Sequence, residues 1–482
     1  GTPPTNAPAV IALHGGDGHS RYFERGATTQ YSQVGTDSPG AWLILPEDNL
    51  HARGASSTVQ ILQTFWVGWA PGYNRFTWPN STAAGTLILP YTLRRVDWMR
   101  DWLTTALSLD PQRIALTGHS MGGQGCGIHA RYRPAKYCGV IQHNPGLQPP
   151  DSQIFLGLRT DNNPVKLPGN PGTQDVFNPA VRLDLTVRDL PLTKIVIGKN
   201  DTLPNAGWSA QKVGVLNTLA ASGMGQHLFW DERAHGAWSA GHWYGSPRIL
   251  ATELLRYRAN QTFPALFNDD QNAALAGRQP DPGDGTPTNG DPWGTWSGYY
   301  DWETTSLADT PNLWAATIFL TGSSTFADDL PAFSSSTASV ALRRTQQFAP
   351  APDTLLLWSL RRLTDNAILQ SGTVNAAADG VVTIPGLMLF KDSVRCRLEV
   401  RVPTAWTPTD LRLGSTALAY IDSEFAPSAG DTRTVYFDSS LNVWIGHVSP
   451  DTGLFTTSTG QQQMLGTGSL FGSLNVNGPE WG

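Results

Sequence analysis

Short apolar runs, each bounded by polar residues, glycine or proline, set the rhythm of the first half of the chain. Runs at 9–13, 41–46, 114–117, 136–141, 192–197 and 226–230 are rich in Ile, Val and Leu and have the length of buried strands. Between them lie segments with the helical repeat. Over 92–107, Leu93, Val96, Met99, Leu103 and Ala106 fall on one face, and Pro111 cannot continue the helix. Residues from Gln124 onward, 208–221 and 247–258 are read as further helices, with Gly223 to Gly225 stopping the second. Strand and helix in alternation predict an α/β fold with a mostly parallel sheet, since parallel neighbours need a crossover.

The pattern changes after 262. Residues 263–292, rich in Pro, Gly and Asp, are expected to be a linker between a catalytic domain over 1–262 and the remainder of the chain. Runs at 313–320, 339–342, 354–360, 380–384 and 393–400, separated by turn residues, predict a β-sandwich-like accessory domain over 293–402. Shorter runs at 417–421, 434–437 and 443–448 predict a further β-rich segment over 403–482. Trp293, Trp296, Tyr299, Tyr300 and Trp302 cluster where the second part begins, either as packing or as an exposed binding face.

Composition narrows the function classes. The 482 residues are too many for one ordinary core. The charged fraction is 15%, the formal net charge is −6 and no basic run occurs, which argues against nucleic acid or an anionic membrane as partner. No apolar run is long enough to span a bilayer. Eighteen tryptophans with little Lys or Glu suit a secreted or extracytoplasmic protein. The start at Gly-Thr-Pro, without Met, is read as that of a processed chain. Cys126, Cys138 and Cys396 form neither a disulfide framework nor a metal motif; Cys126 and Cys138 either pair or each serve as a small buried apolar residue, the commoner role. No metal or organic cofactor is implied.

The candidate chemistry sits at strand ends. Gly118-His119-Ser120-Met121-Gly122 fits the strand-to-helix turn G-x-S-x-G, which exposes a serine oxygen above the sheet edge. By itself the pentapeptide is weak in a chain with 49 glycines. The loop after the first strand, His14-Gly15-Gly16-Asp17, offers a backbone N–H from Gly16 or Asp17 to an oxyanion, beside that of Met121. Asp201, just past the strand at 192–197, is the candidate carboxylate. His235, past the strand at 226–230, is the candidate base, with His242 as the alternative. His143 at a strand end, and Trp66, Trp69, Tyr73, Trp78 and Trp238, are candidate substrate contacts. Core packing is the competing role for each of these aromatics.

The order Ser120, Asp201, His235 is that of the α/β-hydrolase fold. His14-Gly-Gly-Asp, Gly118-His-Ser-Met-Gly-Gly, Gly198-Lys-Asn-Asp201 and Ala234-His235-Gly-Ala-Trp238 resemble extracellular esterases of the esterase D, feruloyl esterase and polyhydroxyalkanoate depolymerase types. The elbow is also similar to that of cutinase-like polyester hydrolases, and there is some likeness to prolyl-oligopeptidase-family enzymes. The resemblance covers residues 1–262 and implies a serine hydrolase acting on a carboxylic ester, polymeric or aromatic, through an acyl-serine. A peptidase with the same machinery, or an inactive binding module on this scaffold, are the rival expectations. The strand at 9–13 would be the third of the usual sheet, so either the sheet is reduced or upstream residues were removed.

Overall fold

The computed structural model describes residues 5–16, 18–19, 40–53, 59–71, 86–147, 164–167, 169, 171–181, 189–203, 206–236, 241–269, 280–321, 333–403 and five short strands beyond 433. Strands β1 (Ala7–Leu13), β2 (Trp42–Ile44), β5 (Leu109–His119), β6 (Gly139–His143), β7 (Leu192–Gly198) and β8 (Gln226–Asp231) run parallel in one sheet, in the order β8-β7-β6-β5-β1-β2. A hairpin of β3 (Asn49–Arg53) and β4 (Val59–Gln63), not foreseen from the pattern, leaves the sheet after β2. Helices α1 (Tyr91–Ala106), α2 (Met121–Tyr132), α3 (Thr173–Phe177) and α4 (Ala210–Ala220) are the main α-helices of the crossovers. This strand order, with β5 feeding a sharp turn into α2, is the α/β-hydrolase architecture.

Burial explains why these elements form. Every residue of β6, β7 and β8 is buried, so both faces of the sheet are covered and apolar runs without alternation are stable there. Ile11, Leu13, Ile114, Leu116, Cys126, Val140 and Val96 form one core layer, and Ile195, Ile197, Leu228, Trp230 and Leu216 form another. Cys126, Cys138 and Cys396 are buried free thiols, so the pairing considered for the first two is not made. Among the described residues, no helix is long and apolar enough to cross a membrane.

The final helix expected over 247–258 is instead two 3-10 turns, Pro247–Ile249 and Ala251–Arg256, divided by Leu250 in an extended conformation. The second half also differs from its sequence reading. Residues expected in the linker form β9 (Phe263–Phe267), which pairs with β14 (Ser335–Arg343), itself paired with β17 (Thr383–Phe390). β10 (Gly294–Trp296) adds antiparallel to β8, extending the main sheet to seven strands, with Thr295 opposite Phe229. Thr295 Oγ1 donates to Leu228 O at 2.6 Å and the indole of Trp243 to Gly294 O at 3.2 Å, which fixes the strand. The 280–292 stretch is folded on itself: Asp291 N donates to Asp281 O at 2.7 Å, and Lys199 Nζ donates to the carbonyls of Asn289 and Asp291 at 2.6 and 2.8 Å. Trp296, Tyr299, Tyr300 and Trp302 are buried; of that aromatic cluster only Trp293 is exposed.

The chain therefore divides otherwise than at a single linker. One compact unit comprises Gly1–Asp309, Ala316–Gln347 and Val381–Cys396; the other comprises Thr310–Ala315, Phe348–Gly380 and Arg397–Gly482. The first holds the parallel sheet, the β9-β14-β17 sheet and β11 (Tyr300–Trp302). The second is antiparallel β, with β15 (Leu355–Arg362) against β16 (Ile368–Asn375), and two small sheets beyond 433. The run expected at 417–421 lies outside the described residues.

Candidate active site

The turn after β5 is built around a strained serine. Ser120 has φ 55° and ψ −121°, a region that costs a non-glycine residue about 1–3 kcal/mol. The surrounding backbone over-determines it. Ser120 N donates to His143 O at 2.9 Å and Gln124 N to Ser120 O at 3.0 Å, which joins the turn to β6 and starts α2. Two glycines are required by contact rather than by φ. A Cβ on Gly122 would lie 1.9 Å from Leu13 O, and one on Gly118 would lie 2.5 Å from the Gly122 backbone. Met121 is the first residue of α2, so its N–H is among those at the positive end of the helix.

The loop after β1 lies beside that turn. A Cβ on Gly15 would sit 3.3 Å from Ser120 Cβ, while Gly16 is exposed. Asp17 lies outside the described residues. His14 beneath the loop is buried; its Nδ1 lies 2.9 Å from Gly15 O, and its Nε2 lies 3.0 Å from Asp48 N and 2.8 Å from Glu47 Oε1. The Asp48 carboxylate, which the sequence reading missed, accepts from Thr64 N at 2.9 Å and Trp66 N at 3.2 Å and from the Thr64 hydroxyl. Burial pushes its pKa up, against these hydrogen bonds. Trp66 is fully buried, packs edge-on against His14 and donates its indole N–H to His14 O at 3.2 Å. It supports the loop and does not line a cleft, a correction to its expected role.

Asp201 and His235 meet across the loops after β7 and β8. His235 Nδ1 lies 2.6 Å from Asp201 Oδ2, and Leu203 N donates to Asp201 Oδ1 at 3.0 Å. Asp201 is buried, and the His235 side chain, at 17% exposure, keeps a small part of its surface open to solvent. The β8 loop is anchored by a fully buried ion pair. Arg233 Nε and Nη2 donate to the two Asp231 oxygens at 2.6 and 2.5 Å, and Trp243 N donates to Asp231 Oδ2 at 3.1 Å. Breaking such a pair by removing one partner costs about 3–5 kcal/mol. The His119 ring, next to Ser120 in the chain, is 4.7 Å from that of His235.

Other candidates fall elsewhere. His242 stacks on Trp293 with centroids 3.6 Å apart; it is His235 that reaches the carboxylate. His143 is buried, and burial keeps its imidazole neutral well below the usual range. Those two facts make it a packing residue under the turn, not a substrate contact. Trp69 is half-buried and packs on Tyr91 at 4.6 Å. Tyr73, Trp78 and Trp238 lie outside the described residues. Among those residues, no group of three His, Cys, Asp or Glu is arranged to hold a metal ion.

No family model and no curated protein matches the chain. Similar solved structures include an S-formylglutathione hydrolase from Agrobacterium tumefaciens, at 15% identity and TM-score 0.35, covering 52% of this chain and 85% of that one. The fluorophosphonate-binding serine hydrolase FphF of Staphylococcus aureus aligns at 14% identity and TM-score 0.31, covering 48% and 78%. A ferulic acid esterase aligns at 10% and 0.35, covering 53% and 87%. The fold is defined here by strand order and the turn at Ser120.

Proposed function

We propose that this protein is a serine carboxylic-ester hydrolase working through an acyl-serine, with Ser120 as nucleophile, His235 as general base and Asp201 as its orienting carboxylate. The observation that carries the reading is the 2.6 Å bond between His235 Nδ1 and Asp201, above the same sheet edge as the strained serine turn. With Nδ1–H held by the carboxylate, Nε2 of the neutral ring is the free base. It takes the Ser120 proton as Oγ bonds to the acyl carbon, and the carbonyl electrons move to oxygen. The N–H groups of Met121 and of Gly16 or Asp17 stabilise that oxyanion, each donor being worth about 3–4 kcal/mol. Collapse expels the alcohol, which receives the proton from His235. Water then enters with His235 again as base, and the acid leaves with Ser120 restored.

The substrate we propose is an ester with an aromatic or polymeric acyl or alcohol part, and the setting secreted or extracytoplasmic. The sparse charge and abundant tryptophan of the sequence support these two extensions. The test is labelling by a fluorophosphonate together with hydrolysis of p-nitrophenyl esters, feruloyl esters and polyester films, with peptide anilides alongside. Labelling and ester turnover are expected from the native protein, and both should vanish in Ser120→Ala, with a turnover loss of about four orders of magnitude or more. Ester cleavage that survives in that variant would remove the serine mechanism, and faster anilide than ester cleavage would make the protein a peptidase.

A further inference from the structure

At the C-terminal end of β6, one dipeptide touches the backbones of all three catalytic loops. His143 O accepts the N–H of Ser120 at 2.9 Å. Asn144, fully buried, takes φ 42°, a left-handed conformation that Asn tolerates better than most residues, and its own N–H donates to Val196 O at 2.7 Å. Its side chain then spans two loops of opposite polarity. Asn144 Oδ1 accepts the N–H of Gly198, three residues before Asp201, at 2.8 Å, and Nδ2 donates to the carbonyl of His235 at 3.0 Å. A carboxylate has no donor for the second contact and an aliphatic side chain serves neither, so the amide fits where the isosteric acid does not.

The His235 carbonyl has a second donor. His119 Nε2 lies 2.8 Å from it. Burial, with His235 adjacent, lowers the His119 pKa to about 3, so its ring is neutral and carries one proton. A carbonyl partner requires that proton on Nε2. The main chain of His235 is thus held from two directions, by a residue adjoining the nucleophile and by one tied to the acid loop.

We infer that Asn144 and His119 are positioning residues that fix the His235 imidazole relative to Ser120 and Asp201 by clamping the His235 carbonyl. The inference deepens the ester-hydrolase reading and rests on it. Catalytic geometry must hold within about 0.5 Å, and a loose carbonyl rotates the whole residue. Neither side chain need touch the substrate.

The test compares Asn144→Asp, Asn144→Ala, His119→Phe and His119→Gln in the full chain, using a p-nitrophenyl ester, circular dichroism and the downfield proton resonance of the His235–Asp201 bond. Asn144→Asp and His119→Phe are expected to lower kcat about 10- to 100-fold with KM within about 2-fold, and to shift or broaden that resonance. His119→Gln, whose amide can donate in place of Nε2, should recover most of kcat. The clamp is overturned if His119→Phe keeps the native kcat and resonance, or if His119→Gln is no better than Phe. That pair decides the matter even where the Asn144 variants do not fold. A failure of the hydrolase reading would appear separately, as a native protein whose Ser120 no fluorophosphonate labels. The resonance would still report on the clamp.

Discussion

At the level of single residues, the serine turn stores energy that the rest of the first unit supplies. Glycine accepts the backbone angles of Ser120 without the penalty of about 1–3 kcal/mol, but loses about 0.5–1 kcal/mol through a freer unfolded chain. Ser120→Gly is therefore expected to be more stable than the native protein by about 1 kcal/mol while losing turnover. Denaturant midpoints of the two proteins would measure it, and a Ser120→Gly midpoint below the native one would mean that the turn is not strained. Ser120, Asp201 and His235 were readable because each stands just beyond a strand that the apolar pattern reveals. Asn144 and Asp48 were not. Asn144 acts on Gly198 and His235, 54 and 91 residues away, and Asp48 on Thr64 and His14, 16 and 34 away. No local spacing records such partners. A lone Asn after a strand reads as a turn residue.

Among the elements, the parallel strands and helices α1, α2 and α4 followed their periodicity because burial was the force acting on them. β16 was missed since its exposure alternates without a strong apolar face, and the hairpin β3-β4 since its residues are mixed. The long helix expected at 247–258 fails for a nameable reason. Leu250 is extended, and Lys194, buried in β7, donates to Arg248 O at 2.8 Å and to Glu253 at 2.5 Å, drawing both turns onto the sheet. The packing of α2 against β1 sets the sharpest constraint among elements. Gly122→Ala would drive a methyl into the Leu13 carbonyl at 1.9 Å, backbone against backbone, where no side chain can yield. Loss of folded protein, read by circular dichroism and soluble yield, is the expected outcome. A native-like, labelled Gly122→Ala protein would show that α2 can lift off β1.

For the whole molecule, buried histidines govern the response to acid. Burial pushes His119 down to about 3 and His129 to about 4, and holds His143 and His227 well below the ordinary value. In the unfolded chain these rings take protons near pH 6.5, which the folded protein refuses. Stability is thus complete above pH 6.5 and falls as the pH drops towards 4 and then 3. At pH 5 the His119 and His129 rings each cost about 2 kcal/mol, a large share of the total stability of about 5–15 kcal/mol usual for a domain, and His143 and His227 act in the same direction. Carboxylates whose pKa is lowered, such as Asp101, Asp110 and Glu253, add to the loss only below about pH 4.5, so they do not set this window. Guanidinium midpoints recorded from pH 7.5 to 4.5 should fall steadily; a flat profile would mean that these rings are protonated in the folded state.

The domain plan was the least legible part of the sequence. Proline, glycine and aspartate over 280–292 look like a tether, yet Lys199 grips two carbonyls of that stretch, and β10 completes the sheet beside β8. The chain passes from one compact unit to the other at Asp309, Ala315, Gln347, Gly380 and Cys396. A gene sliced once, anywhere, would then yield no pair of whole bodies. The β-rich part is not a passenger stitched onto a finished first body, because both were drawn with the same thread. Engineers wishing to trade one half for another would have to splice at several places, or rejoin the ends first.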